Sequence, residues 1–275
     1  MPSTDGVTVA LHDLGGDGSP LVISHATGFC GRAYEPLAEA LSSRFHVWAL
    51  DFRGHGESTA PAAEALHWHR MTDDLAAAVV AIGDGPIGVV GHSMGGACAL
   101  LQEHRVPGTF AWAYVYEPIV RPDAALFPTS NPMAEQAARR RATFPSRADV
   151  MWRYAERAPL SLLRADCLRA YVEHGFRDDE DGAVTLRCAP AIEAGVFARS
   201  GDISLDDVDG VSIPVTVAFG AVESSAVFSP ASLAGDVAAR VKSGRLECFD
   251  ALGHLGPMQD PELLAASVLT FASSV

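Results

Sequence analysis

The strongest constraint on the fold is the short stretch Gly91-His92-Ser93-Met94-Gly95, which fits the pattern G-x-S-x-G. An apolar, β-branched run precedes it at residues 86–90, and a run of good helix formers follows it at 97–104. This context predicts a sharp strand-to-helix turn with the serine at its apex, in a strained backbone conformation. The following helix would direct its free N–H groups and partial positive charge at the serine.

Short apolar segments alternate with amphipathic segments along most of the chain. Strands are predicted near residues 7–12, 21–24, 45–50, 86–90, 110–116, 215–219 and 245–250, and helices near 34–43, 71–82, 97–104, 233–241 and 261–272. Such alternation is typical of an α/β fold with a doubly wound, mostly parallel sheet, here over residues 1–118 and 206–275. Residues 119–205 interrupt it with Pro-, Arg- and aromatic-rich sequence, so we expect a helical cap over the carboxyl ends of the strands.

Charge and composition exclude several classes of partner. The 275 residues carry a formal net charge of −14, which argues against binding to nucleic acid or to an anionic membrane. No apolar run reaches the length of a transmembrane helix, and the N-terminus has no signal-peptide pattern. The five cysteines show no zinc-binding spacing, and scattered cysteines favour a cytoplasmic protein with reduced thiols. Both a monomer and a homodimer remain open.

Four motifs together resemble the α/β-hydrolase superfamily, in its serine-nucleophile, cap-containing, esterase-like branch. They are H-A-T-G at 25–28, R-G-H-G-E-S at 53–58, G-H-S-M-G-G at 91–96 and G-H-L-G-P-M at 253–258. The resemblance implies that Ser93 is the nucleophile and that His254 is its general base, in the chain order Ser…acid…His. It also implies an oxyanion hole formed by the backbone N–H groups of Thr27 and Met94.

The acidic partner of His254 has two candidates. Glu223 lies in G-A-V-E after the predicted strand 215–219, where the superfamily usually places an aspartate. Glu117 follows the predicted strand 110–116, 24 residues after Ser93, where a minority of the superfamily places a glutamate. Either carboxylate is able to orient an imidazole and stabilise an imidazolium, so both remain candidates.

The predicted activity is hydrolysis of a small carboxylic ester, or a related acyl bond, through an acyl-enzyme on Ser93. This chemistry requires neither a metal nor an organic cofactor. The same residues would serve a carbon–carbon bond hydrolase or a cofactor-free perhydrolase. A non-catalytic receptor or binding scaffold that retains these residues is the alternative of another class. We expect the run Arg139-Arg140-Arg141 of the cap to be a solvated surface.

Overall fold

The structure, a computed structural model, describes residues 1–83, 85–122, 131–222 and 229–275. Strands in these ranges are β1 (Ala10–Asp13), β2 (Ser19–Ser24), β3 (Phe45–Asp51), β4 (Ile87–His92), β5 (Phe110–Tyr116), β6 (Thr143–Phe144), β7 (Phe176–Asp178), β8 (Val184–Leu186), β9 (Pro214–Gly220) and β10 (Ser243–Phe249). Helices are α1 (Glu35–Leu41), α2 (Trp68–Ile82), α3 (Met94–Arg105), α4 (Pro132–Ala138), α5 (Arg147–Ala155), α6 (Ala165–His174), α7 (Pro190–Phe197), α8 (Ala234–Arg240), α9 (Gly256–Gln259) and α10 (Pro261–Ala272).

The main sheet has the strand order β1-β3-β2-β4-β5-β9-β10. β1 pairs antiparallel with β3, and every other neighbouring pair of this sheet is parallel. All residues of the central strand β4 are buried, as expected for an apolar strand that is covered on both faces. The sheet confirms the predicted mostly parallel α/β fold.

Apolar side chains fill the space on both faces of this sheet. On one face, α1 and α10 contribute Leu37 and Leu264 to a core that also includes Ile23 and Tyr114. On the other face, α2, α3 and α8 pack against Val22, Val89 and Val217 of the strands. Helices therefore cover both faces, and the sheet is doubly wound.

The segment between β5 and β9 contains α4 to α7 and a second, three-stranded antiparallel sheet in the order β6-β8-β7. Side chains fix the start of two of these helices. Asn131 accepts hydrogen bonds from the N–H groups of Met133 and Ala134, and Ser146 accepts one from the N–H of Asp149. The sequence predicts the helices of this insertion, and the structure adds to them a small sheet that the sequence does not predict.

The carboxyl ends of the parallel strands lie along one edge of the main sheet. Ser93 follows β4 directly, Glu117 follows β5, and the loop that contains Thr27 follows β2. His254 lies five residues after the end of β10. The topology therefore brings four distant parts of the chain to one edge, where open α/β sheets bind their ligands.

Among the described helices, none has both the length and the hydropathy that a membrane crossing needs.

Candidate active site

Ser93 lies at the apex of the turn between β4 and α3, with φ 55° and ψ −117°. A non-glycine residue in this conformation costs on the order of 1–3 kcal/mol, which the surrounding structure must offset. The Ser93 N–H donates to the carbonyl of Tyr116 at 2.9 Å, and the Ser93 carbonyl accepts from Ala97 at 3.1 Å. The turn is therefore fixed between the neighbouring strand β5 and the first turn of α3.

The glycines on either side of Ser93 allow close backbone approach. A Cβ on Gly91 would lie 2.6 Å from the Cα of Gly96, and a Cβ on Gly95 would collide with the carbonyl of Ser24. Side chains at either position would push β4, α3 and β2 apart. This packing is the physical reason for the glycines of the G-x-S-x-G pattern.

His254 contacts one of the two candidate acids, Glu117. Its Nδ1 lies 2.6 Å from Glu117 Oε2, so the imidazole N–H donates to the carboxylate. The other oxygen, Oε1, accepts from the N–H of Gly220 at 2.9 Å. Glu117 is 2% exposed, and both of its carboxylate oxygens have a donor. Such a pair holds the imidazole in the tautomer whose Nε2 is free to accept a proton.

The backbone at Glu117 is also unusual, because its φ is 44°. The Glu117 N–H donates to the carbonyl of Ala218 in β9 at 2.8 Å, so the sheet holds this residue in place beyond the end of β5. Glu223, the other candidate acid, lies outside the described residues.

The imidazole of His254 lies beside the residue that precedes Ser93. Its ring centroid is 5.1 Å from that of His92, and the His92 Nε2 lies 2.8 Å from the His254 carbonyl oxygen. Within the described part of the chain, Ser93 Oγ has no hydrogen bond to His254. Catalytic hydrogen bonds of this kind often tighten only when substrate binds.

Thr27 and Met94, which carry the expected oxyanion donors, lie in contact. The Thr27 hydroxyl donates to Met94 Sδ at 3.4 Å. Neither backbone N–H donates to another group in the described residues, whereas the N–H groups on both sides of Thr27 are occupied. Ala26 donates to the Tyr34 hydroxyl at 3.2 Å, and Gly28 donates to His55 Nε2 at 3.1 Å.

Three buried histidines hold the loops around the site, and burial keeps all of them neutral. Burial lowers the pKa of His25 to about 3. Its Nδ1 donates to the Ala26 carbonyl at 2.8 Å, and its Nε2 accepts from the N–H of Phe52 at 3.0 Å. Burial also lowers the pKa of His55, and burial together with the nearby His254 lowers the pKa of His92 far below its ordinary value.

A polar cluster from the inserted segment contacts the loop next to Thr27. Arg140 donates to both oxygens of Glu193, at 3.0 and 2.8 Å, and to the hydroxyl of Tyr171 at 2.5 Å. Tyr171 in turn donates to the Gly28 carbonyl at 3.0 Å. The expected solvated surface at residues 139–141 is therefore wrong for Arg140, whose side chain is 19% exposed.

No local sequence pattern places Arg140 or Glu193 near the site. The hydrogen bonds that join Arg140, Glu193, Tyr171 and Gly28 connect residues that are 31 to 143 positions apart in the chain. Among the described residues, no group of three or more His, Cys, Asp or Glu side chains is arranged to hold a metal ion.

Comparison with known proteins shows the family of this chain. A model of the alpha/beta hydrolase family matches residues 21–267. The chain belongs to this family. The hydrolase is similar in fold to the crystal structure of an E-2-(acetamidomethylene)succinate hydrolase, with a TM-score of 0.78 and 19% identity over 97% of this chain and 96% of that one. The match confirms the predicted fold and membership of a family of enzymes.

Two curated relatives differ in how much they cover. The (E)-2-((N-methylformamido)methylene)succinate hydrolase of Acinetobacter baylyi is 40% identical over 80 residues, which is 29% of this chain and only 30% of that protein. A putative carbamate hydrolase of a Caulobacter species is 26% identical over 94% of this chain and 91% of that protein. The hydrolase thus matches the first relative over a short stretch at 40% identity. It matches the second over nearly its whole length at 26% identity.

Proposed function

We propose that this hydrolase cleaves a small carboxylic ester, or a related acyl bond, through an acyl-enzyme on Ser93. The hydrogen bond of 2.6 Å between His254 Nδ1 and Glu117 Oε2 is the observation that carries the proposal, because it leaves Nε2 free to accept the serine proton. The strained conformation of Ser93 supports it, since such strain is concentrated at functional residues.

The proposed reaction has two halves. Ser93 Oγ attacks the acyl carbon while His254 Nε2 takes its proton, and the N–H groups of Thr27 and Met94 stabilise the tetrahedral oxyanion. His254 then gives the proton to the leaving group, and the acyl-enzyme forms. In the second half, His254 activates a water that attacks the acyl carbon, and Ser93 is released with its proton. Glu117 stabilises the imidazolium in both halves.

The test uses the purified protein with p-nitrophenyl acetate and with an organophosphonate that labels active serines. We expect turnover of the ester, and one covalent adduct on Ser93 in the intact mass spectrum. Ser93→Ala should lose both. A wild-type protein that stays unlabelled and inactive would refute the enzymatic proposal and favour a binding scaffold.

Residues 119–205 are proposed to act as the cap that selects the substrate. The contact from Tyr171 to the Gly28 carbonyl supports this role, because it joins the inserted segment to the loop beside Thr27. A panel of p-nitrophenyl esters that differ in acyl-chain length measures the selection. In this proposal the protein works in the cytoplasm on a small molecule.

An amide-type acyl bond is the second candidate substrate. The similarity to a putative carbamate hydrolase, which extends over most of both chains, favours this candidate. The panel therefore includes, for each acyl group, an ester and the corresponding p-nitroanilide. Higher kcat/KM for the anilides would assign the hydrolase to amide-type substrates, and higher values for the esters would retain the first candidate.

A further inference from the structure

A chain of three hydrogen bonds links the backbone of Ala26 to the backbone of His254 through Tyr34 and His92. The N–H of Ala26 donates to the hydroxyl of Tyr34 at 3.2 Å. The Tyr34 hydroxyl lies 2.6 Å from His92 Nδ1, and His92 Nε2 lies 2.8 Å from the carbonyl oxygen of His254. Tyr34 and His92 are both buried, so water does not compete for these bonds. None of the three bonds belongs to the proposed chemistry of Ser93.

The direction of each bond follows from its partners. A carbonyl oxygen only accepts, so His92 Nε2 must carry the proton that bonds the His254 carbonyl. A neutral imidazole has one N–H, so His92 Nδ1 is an acceptor and the Tyr34 hydroxyl donates to it. The lone pairs of that hydroxyl remain for the N–H of Ala26. Each bond thus depends on the next, and the three hydrogen bonds have only one arrangement of donors and acceptors.

The two ends of this chain of hydrogen bonds lie at the two proposed partners of Ser93. His254 carries the proposed base, and Ala26 directly precedes Thr27, which carries a proposed oxyanion donor. His92 itself directly precedes Ser93. One imidazole is therefore bonded directly to the backbone of His254 and, through Tyr34, to the backbone of Ala26.

We infer that Tyr34 and His92 are positioning residues. They hold the backbone of His254 and of the loop before Thr27 in a fixed position relative to Ser93. The inference rests on the proposed function, because it assigns the chain of bonds to that reaction. Displacement of a catalytic group by about 1 Å costs about 10²-fold in rate. Tyr34 and His92 act through His254 and Thr27 and do not touch the substrate.

The test compares Tyr34→Phe, His92→Met and the double variant with wild type. Phe removes the hydroxyl that orients the imidazole, and Met has a similar size to His but no donor. His92→Gln is the conservative variant, since its amide keeps an N–H near the position of Nε2. Tyr114→Phe is the matched control, because Tyr114 is also buried and its hydroxyl bonds Glu247 and Ser267, away from the site.

We expect kcat to fall by about 10- to 100-fold in Tyr34→Phe and in His92→Met, with KM within about twofold of wild type. Because both substitutions interrupt the same chain of hydrogen bonds, kcat of the double variant should be no lower than that of the more severe single variant. His92→Gln should recover most of kcat. Tyr114→Phe should lower the melting temperature as much as Tyr34→Phe while its kcat stays at the wild-type value.

Three kinetic results would overturn the inference. They are unchanged kcat in folded Tyr34→Phe and His92→Met, losses that multiply in the double variant, or an equal loss of kcat in Tyr114→Phe. A second measurement does not require activity. In protein labelled with ¹⁵N-histidine, long-range ¹H–¹⁵N spectra at pH 7 should show His92 as the neutral Nε2–H tautomer.

A protonated His92, or its Nδ1–H tautomer, would also overturn the inference. If wild type neither labels nor turns over substrate, the proposed function fails, and the tautomer of His92 decides the chain of bonds separately. If wild type is active and the variants match it, only the positioning role fails.

Discussion

Replacement of Glu117 by glutamine tests the proposed acid with almost no change in shape. In the native site one carboxylate oxygen accepts from Gly220 N–H at 2.9 Å, and the other accepts from His254 Nδ1 at 2.6 Å. An amide has only one oxygen for these two donors. If that oxygen stays with Gly220, the NH₂ group faces His254 and selects the tautomer with Nδ1 as acceptor. His254 Nε2 then carries a proton and is unable to accept one from Ser93.

The alternative orientation of the glutamine is also unfavourable. Its oxygen would accept from His254, and its NH₂ group would face the N–H of Gly220, leaving a buried donor without a partner. Both orientations therefore weaken the site. In another Ser–His–acid triad, replacing the acid by its amide lowers kcat about 10⁴-fold by stabilising the wrong tautomer. The same loss here corresponds to about 5 kcal/mol in the activation barrier.

The assay is steady-state turnover of p-nitrophenyl acetate, with the labelling rate of Ser93 and the melting temperature measured on the same samples. Glu103→Gln is the matched control. Glu103 is also 2% exposed, and its carboxylate accepts from the N–H groups of Gly108 and Phe110 at 2.7 and 2.9 Å, at the opposite end of the sheet. Its variant should lose stability and keep the wild-type kcat.

Glu223→Gln completes the comparison, since Glu223 is the other sequence candidate. We expect its loss in kcat to stay below about tenfold, because His254 Nδ1 already donates to Glu117 and a second carboxylate would contribute only through its charge. Folded Glu117→Gln with more than a tenth of wild-type kcat would refute the assignment of Glu117. Large losses in both variants, with both folds intact, would mean that the two carboxylates act as a coupled pair.

Three further predictions concern the nucleophile, the inserted segment and pH. Ser93→Ala should abolish turnover and labelling while the melting temperature, followed by circular dichroism, stays near wild type. Glu193→Gln should lower the free energy of unfolding in urea by about 3–5 kcal/mol, because it leaves the buried Arg140 cation unpaired. The exposed Glu135→Gln should change it by less than about 1 kcal/mol, and equal losses would contradict the buried pair. The free energy of unfolding should fall from pH 7 to pH 5, because the unfolded chain binds more protons than the folded chain below about pH 6.5. The fall should be up to about 1.4 kcal/mol per pH unit for each histidine that is neutral in the folded protein. Urea unfolding at several pH values measures this slope, and a flat profile would contradict the lowered pKa values of His25, His55 and His92.

The main sheet could be predicted because its strands are apolar and flanked by turn residues. The closing helix forms over the predicted residues 261–272. The helix predicted at 71–82 begins earlier, at Trp68, whose indole N–H donates to the distant carbonyl of Val196. Such a tertiary bond leaves no local pattern. The strands β6 to β8 were missed because segments of two or three residues are too short to show an alternating pattern.

Local motifs lead to the proposed nucleophile and base, but they do not choose between the two candidate acids. Glu117 and Glu223 follow predicted strands of similar character, and a single sequence does not give the distance from either carboxylate to His254. The ion pair of Arg140 and Glu193 is not predicted either, because a single sequence does not give the distance between these two side chains. A run of three arginines is typical of a solvated surface, and the partner that buries Arg140 lies 53 residues away.

The strain at the site follows from the register of the sheet. In the described part of the chain, the non-glycine residues with positive φ are Asp5, Ser93 and Glu117, and two of these three are the proposed nucleophile and acid. Each continues the ladder one residue beyond its strand, through Ser93 N–H to Tyr116 and Glu117 N–H to Ala218. Because one bond fixes Ser93 against β5 and the other fixes Glu117 against β9, the sheet offsets the cost of two unfavourable conformations. A variant that loosens the pairing of β5 with β9 should therefore relax Glu117 first and uncouple it from His254, which lowers kcat before the fold is lost.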